Sequence, residues 1–136
     1  MPGVRLRCVS GSPFTKETMD VFLNEFGVER VIEGFGMTEI PGAFSNPYDG
    51  PHLLASMGYP GKHPDPDVTW TEARVVDDVG KDVPDGTTGE LVVKIPTMMK
   101  GYFNDPEQTA AAFQDGWFLT GDLVYRTPEG CFYFVA

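Results

Sequence analysis

Three stretches of this 136-residue chain hold residue types that could do chemistry. Gly34-Phe35-Gly36-Met37-Thr38-Glu39 supplies two glycines, an aromatic ring, a hydroxyl and a carboxylate in one short run. The glycines admit a ligand where a Cβ would obstruct it. Phe35 suits stacking on a planar base, Thr38 a hydrogen bond to a phosphate oxygen, and Glu39 a Mg²⁺ ion beside that phosphate. Trp117-Phe118-Leu119-Thr120-Gly121-Asp122 ends in a carboxylate that could accept two hydrogen bonds from a ribose diol. In Ser10-Gly11-Ser12-Pro13, small residues could bring backbone amides against a ligand. Each stretch taken singly suits a plain turn equally well.

Hydrophobic spacing shows what must position them. Residues 4–9 read as a strand. A helix is expected over 13–27, with an N-cap at Thr15, Phe14 and Met19 as a hydrophobic staple, and Met19, Phe22, Leu23 and Phe26 on its core face before Gly27. Residues 30–33 form the next strand, giving a strand-helix-strand unit that is parallel if both strands share a sheet. From 40 to 66, repeated Pro and Gly predict irregular loop with one strand near 56–59. Strands over 73–76 and 90–95 follow, joined by turn-forming residues. Asp105-Pro106-Glu107-Gln108 then opens a short helix with an N-cap and a capping-box Gln. Asp115-Gly116 ends it, and strands over 117–120, 123–126 and 131–135 complete the chain. The fold class is α/β to α+β: residues 1–64 end an α/β subdomain, and residues 65–136 make a small distorted antiparallel β-barrel subdomain.

Composition excludes several functions. The net charge is −10, divided as −2 before Pro64 and −8 after it, so phosphate backbones are repelled and nucleic acid is not an expected partner. No apolar run approaches a membrane span, and the first residues carry charges where a signal peptide needs an apolar core, which predicts a cytoplasmic protein. Cys8 and Cys131 lack metal or disulfide spacing and are expected as buried free thiols. His52 and His63 read as loop histidines, and Met98-Met99 as core filling.

The order of the motifs adds what no single one supplies. Ser10-Gly11-Ser12-Pro13, Gly34-Phe35-Gly36-Met37-Thr38-Glu39, Gly89-Glu90-Leu91-Val92-Val93-Lys94, Lys100-Gly101-Tyr102-Phe103-Asn104-Asp105-Pro106-Glu107 and Asp115-Gly116-Trp117-Phe118-Leu119-Thr120-Gly121-Asp122 together resemble the adenylate-forming superfamily of acyl-CoA synthetases, peptide-synthetase adenylation domains and luciferases. The resemblance runs from about Val4 to Val135. It implies activation of a small-molecule carboxylic acid by ATP to an acyl-adenylate, then thioester formation with coenzyme A. It also implies that Thr38 contacts the α-phosphate, Glu39 binds Mg²⁺, and Asp122 holds the ribose hydroxyls. Gly34 and Phe35 would flank the adenine, Gly36 would belong to the same nucleotide-binding set, and Ser12 and Pro13 would line the adenine and acyl side. The Lys100-Gly101-Tyr102 run is structural by this resemblance, and Lys100 is not a catalytic lysine.

Two parts of the superfamily pattern are not found in the sequence. These are the Ser/Thr/Gly-rich phosphate loop ending in Pro-Lys-Gly and the C-terminal domain bearing the catalytic lysine; Ala136 stands where an Asp is expected. The expectation is therefore part of an acyl-CoA synthetase, inactive by itself, marginally stable, and dependent on the missing segments of its own enzyme. The alternative is a non-catalytic module that binds AMP or acyl-adenylate, or another protein.

Overall fold

The computed structural model describes residues 5–51 and 53–136, which leaves Val4, the expected start of the first strand, and His52 outside the described residues. Strand β1 (Cys8–Gly11) pairs in parallel with β2 (Arg30–Phe35), Val9 opposite Val31 and Gly11 opposite Glu33. Helix α1 (Lys16–Asp20) connects them, and its N-cap is the expected one: the Thr15 hydroxyl accepts the Thr18 N–H at 3.2 Å.

The helix is shorter than its hydrophobic spacing predicts. Pro13 and Phe14 stay outside it, and Val21–Glu25 widens into a π-helical turn in which Phe26 N–H reaches the Val21 carbonyl at 3.2 Å. A wider turn carries the next apolar position off the buried stripe. Met19 is accordingly buried and Phe22 and Leu23 partly so, whereas Phe26 is 65% exposed.

Beyond β2 the sheet is antiparallel. It contains β3 (Phe44–Ser45), β4 (Ser56–Pro60), β5 (Glu72–Val76), β6 (Gly89–Lys94), β7 (Phe113–Gln114), β8 (Trp117–Arg126) and β9 (Phe132–Phe134). Among the described residues the strand order is β1-β2-β3-β4-β9-β8-β6-β5, with β7 paired to β8. The chain is thus a mixed α/β fold with one mostly antiparallel sheet and few helices. Strand β3 arises inside the stretch expected to be irregular, and the strands expected over 117–120 and 123–126 are one element, β8.

Local chemistry explains the other joints. Helix α2 (Pro106–Ala111) starts where Asp105 accepts the Gln108 N–H at 2.9 Å, with Pro106 in the first turn. The helix stops at Ala111, short of the expected end at Asp115-Gly116, because Phe113 and Gln114 pair with β8; Asp115 and Gly116, with φ of 51° and 80°, instead make the two-residue turn joining β7 to β8. Ile40, Leu91, Val93 and Val124 are fully buried at the centre with Phe44, Phe118 and Phe132, and Met98 and Met99 pack against them. Both thiols are free. Cys131 is buried as expected, while Cys8 keeps partial exposure at the sheet's first strand. His63 tilts against Trp70 with ring centroids 5.5 Å apart. No helix of the described residues is long and apolar enough to cross a membrane.

Candidate functional site

Strand β2 changes partner partway along. Arg30 to Glu33 face β1, and Gly34 and Phe35 face Ser45 and Phe44 of β3. The change explains Gly34: a Cβ there would stand 2.8 Å from the Phe44 carbonyl oxygen, so the close approach is first of all one of strand to strand. Phe35 lies edge-on to Phe44 at 6.0 Å.

At this switch point a cavity of about 360 Å³ opens, within the roughly 300–1,000 Å³ of small-molecule sites. Ser12 and Pro13 line it from the loop before α1, Gly34, Phe35 and Gly36 from the end of β2, and Phe134 from β9. Five of the residues expected to bind nucleotide therefore meet at one hollow. Two larger open grooves, of about 590 and 630 Å³, hold none of the expected site residues.

Glu33 also lines the cavity, and sequence reasoning assigned it no role beyond its strand. It is 3% exposed; Oε1 accepts the Phe14 N–H at 2.9 Å and Oε2 the Ala55 N–H at 3.0 Å. Buried carboxylates need such donors. The signal for it was the two-residue period of β2, which puts Glu33 on the face of buried Val31.

Thr38 and Glu39 do not line this cavity. They follow Gly36 into a turn closed by the Ile40 N–H on the Met37 carbonyl at 3.1 Å, which leaves Thr38 exposed. Glu39 is partly buried and doubly anchored. Its carbonyl accepts the Met99 N–H at 2.7 Å, and its Oε1 accepts the Tyr102 hydroxyl at 3.0 Å. That hydrogen bond, then burial, then the carboxylate's charge raise the Tyr102 phenol above its ordinary pKa, so it stays a donor.

Asp122 owes its placement to an irregularity in the β6–β8 ladder. Glu90 pairs Leu123 and Val92 pairs Leu119, so Leu91 alone opposes Thr120, Gly121 and Asp122. Such bulges re-aim side chains. The Thr120 hydroxyl fastens this one, donating to the Leu91 carbonyl at 2.8 Å and accepting the Asp122 N–H at 3.1 Å. Burial, and secondarily the Glu90 charge, push the Asp122 carboxyl up from the usual carboxylate range. Asp122 does not line the cavity, but its strand neighbour Val124 pairs with Phe134, which does.

A family profile described as "AMP-binding enzyme" matches residues 1–103. The chain belongs to the AMP-binding enzyme family. Its curated relatives include a sulfoacetate–CoA ligase of Cupriavidus necator, 41% identical over an alignment of 134 positions that covers 96% of this chain and 25% of the relative. Among solved structures, apo MatB from Rhodopseudomonas palustris superposes with a TM-score of 0.81 at 34% identity, over 97% of this chain and 25% of that one. O-succinylbenzoate coenzyme A synthetase (MenE) from Bacillus subtilis, in complex with AMP, does so with a TM-score of 0.74 at 31% identity, over 94% and 25%. The chain spans about a quarter of the length of these proteins.

As an AMP-binding enzyme segment the chain presents its expected site residues in three groups. Ser12, Pro13, Gly34, Phe35 and Gly36 share the cavity, Thr38 and Glu39 stand on the turn beyond it, and Asp122 sits on the bulge of β8. The acidic set fits Mg²⁺ in a limited way. Among the described residues no group of three or more His, Cys, Asp or Glu converges. Among the described residues the Glu39 carboxylate nevertheless has only Oε1 engaged, and Mg²⁺ in phosphate sites usually takes one or two carboxylates, completing its shell with phosphate and water.

Proposed function

We propose that this chain is the adenylate-recognising part of an AMP-dependent acyl-CoA synthetase. The observation that carries the reading is the convergence of Ser12, Pro13, Gly34, Phe35 and Gly36, from two separate stretches of sequence, on one cavity. The reaction joins a carboxylic acid to ATP: a carboxylate oxygen forms a bond to the α-phosphorus, and the bond from that phosphorus to the pyrophosphate oxygen breaks. Coenzyme A thiol then displaces AMP from the acyl-adenylate.

Each residue has a role in that reaction. Gly34, Phe35 and Gly36 hold the base, with Ser12 and Pro13 on the facing wall. Asp122 accepts the ribose hydroxyls, and the Thr38 hydroxyl donates to the α-phosphate. Glu39 would hold Mg²⁺, which when bound offsets phosphate charge as the two anions approach. Residues 1–64 and 65–136 act as two subdomains meeting at this site. The phosphate-gripping loop and the catalytic lysine come from outside these residues, and the cytoplasm is the proposed compartment, in keeping with two unpaired thiols.

The test is ATP–pyrophosphate exchange by the native polypeptide, isolated with an antibody against this segment and assayed with a panel of carboxylic acids. Acid-dependent exchange supports the proposal. AMP binding with no acyl-adenylate from any acid would replace it with a non-catalytic binding module.

A further inference from the structure

Glu39 and Tyr102 come from separate motifs, 63 residues apart, yet the Tyr102 hydroxyl lies 3.0 Å from Glu39 Oε1. A glutamate carboxylate turns freely about its last torsion, so an unrestrained Glu39 would present either oxygen in many directions. Here both ends of the residue are tied, its carbonyl by Met99 N–H at 2.7 Å and Oε1 by the phenol. Tyr102 is itself fixed: its N–H donates to Thr109 Oγ1 at 2.9 Å, and that hydroxyl donates to the Asp105 carbonyl at 2.7 Å. Gly101 lets this happen, since a Cβ at that position would stand 2.8 Å from the Thr109 methyl.

We propose that Tyr102 is a positioning residue for Glu39, its hydroxyl engaging Oε1 so that Oε2 is the oxygen presented to a divalent cation. The proposal rests on Glu39 as the Mg²⁺ ligand in the function given above. The Lys100-Gly101-Tyr102 run then does more than shape the chain, because α2, through Thr109 and Tyr102, sets the aim of a carboxylate 63 residues away in sequence. Partners of this kind orient metal ligands, and removing one commonly costs about 10–100-fold in metal affinity.

The test measures Mn²⁺ binding by electron paramagnetic resonance on the native polypeptide with ATP present. Tyr102→Phe removes one oxygen and keeps the ring. It is expected to weaken Mn²⁺ binding about tenfold, while ATP affinity in EDTA changes less than about twofold and the thermal midpoint is unmoved. In a Glu39→Ala background the same substitution is expected to add nothing. Thr109→Val, which removes the acceptor for the Tyr102 N–H, is expected to weaken Mn²⁺ binding in the same sense, and it decides the matter should Tyr102→Phe not fold. Unchanged Mn²⁺ affinity in Tyr102→Phe, or an equal loss with and without Glu39, overturns the proposal alone. A wild-type protein that binds ATP but no Mn²⁺ overturns the assignment of Glu39 and the proposal with it.

Discussion

The carboxylate of Glu33 reaches across 22 residues to accept the backbone N–H of Ala55 at 3.0 Å, while its other oxygen takes the Phe14 N–H at 2.9 Å. One acidic side chain thus ties the loop before α1 to the turn before β4, and both segments wall the same cavity.

Removing that tie strands two amides. Glu33→Ala is expected to cost about 1.5–3 kcal/mol in all, because the part-buried Phe14 and Ala55 N–H groups lose a charged acceptor, a hydrogen bond of roughly that size, and water replaces part of what is lost. Glu33→Gln keeps one acceptor oxygen and should cost about half as much. Urea denaturation gives the stabilities, and hydrogen exchange at Phe14 and Ala55 locates the loss. Unchanged protection at those two amides would show that the carboxylate is not what holds them.

Asp122 should trade stability against binding. Its carboxyl pKa is raised in the folded state by burial and by Glu90, so the folded protein holds its proton more tightly than the unfolded chain does. The resulting stabilisation is complete below the unfolded value near 3.8 and is lost as pH rises through the folded value. At neutral pH the ionised group is therefore a modest liability. Asp122→Asn is expected to raise the melting temperature at pH 7 by about 1–2 °C, the size of a few tenths of a kcal/mol in such a domain. The gain should vanish below pH 4, and AMP affinity should fall at the same time. A neutral-pH melting temperature below wild type would contradict the sign.

Two glycine substitutions should fail for different reasons. Gly34→Ala drives a Cβ to 2.8 Å from the Phe44 carbonyl and is expected to cost about 1–3 kcal/mol as β2 and β3 move apart. At Gly121, with φ of +75°, there is open space, so Gly121→Ala costs only the left-handed strain of about 1–2 kcal/mol. Gly121→Asn should recover part of that, since Asn tolerates the conformation, whereas Gly34→Asn should be worse than Gly34→Ala. Equal behaviour of the two Asn variants in thermal melts would refute this division.

The π-helical turn after α1 makes unlike predictions for two residues that the spacing places together. Met19→Ala should cost about 2–5 kcal/mol, and Phe26→Ser should stay within about 0.5 kcal/mol. A large loss from Phe26→Ser would mean that the helix runs regular to its end with Phe26 inside.

Elements that depend on neighbours in sequence were legible. Thr15 and Asp105 cap helices as their side chains dictate, and Asp115-Gly116 turns as its φ tolerance requires, although what it turns is a pair of strands and not the end of α2. What could not be read were the relations that exist only once distant strands meet. The period of β2 puts Glu33 on the face of Val31, but its partners exist only once the loop before α1 and the turn at Ala55 meet it, and nothing near Tyr102 indicates that its hydroxyl will find Glu39. The same holds for β8, where Gly121 suggests a break between two strands, yet the ladder with β6 resumes beyond it. Periodicity puts Ser12, Pro13, Gly34, Phe35 and Gly36 at or just beyond the ends of their elements, but only the partner change along β2 gathers them round a cavity.

The pairing of β4 with β9 also governs how the chain is made. Tyr133 is the ladder partner of Ser56, and the Ser56 hydroxyl touches the Cys131 thiol across 75 residues of sequence. A ribosome adding about 5–20 residues per second needs roughly 4–15 s to span that interval. Through that interval β4 waits with one edge bare, while β5 and β6 pair once residue 94 has been made and β8 follows only shortly before β9. A nascent chain therefore carries an open strand edge, the feature that most invites pairing with a wrong partner, for seconds on every round of synthesis. The strand that closes it is β9, made 75 residues later.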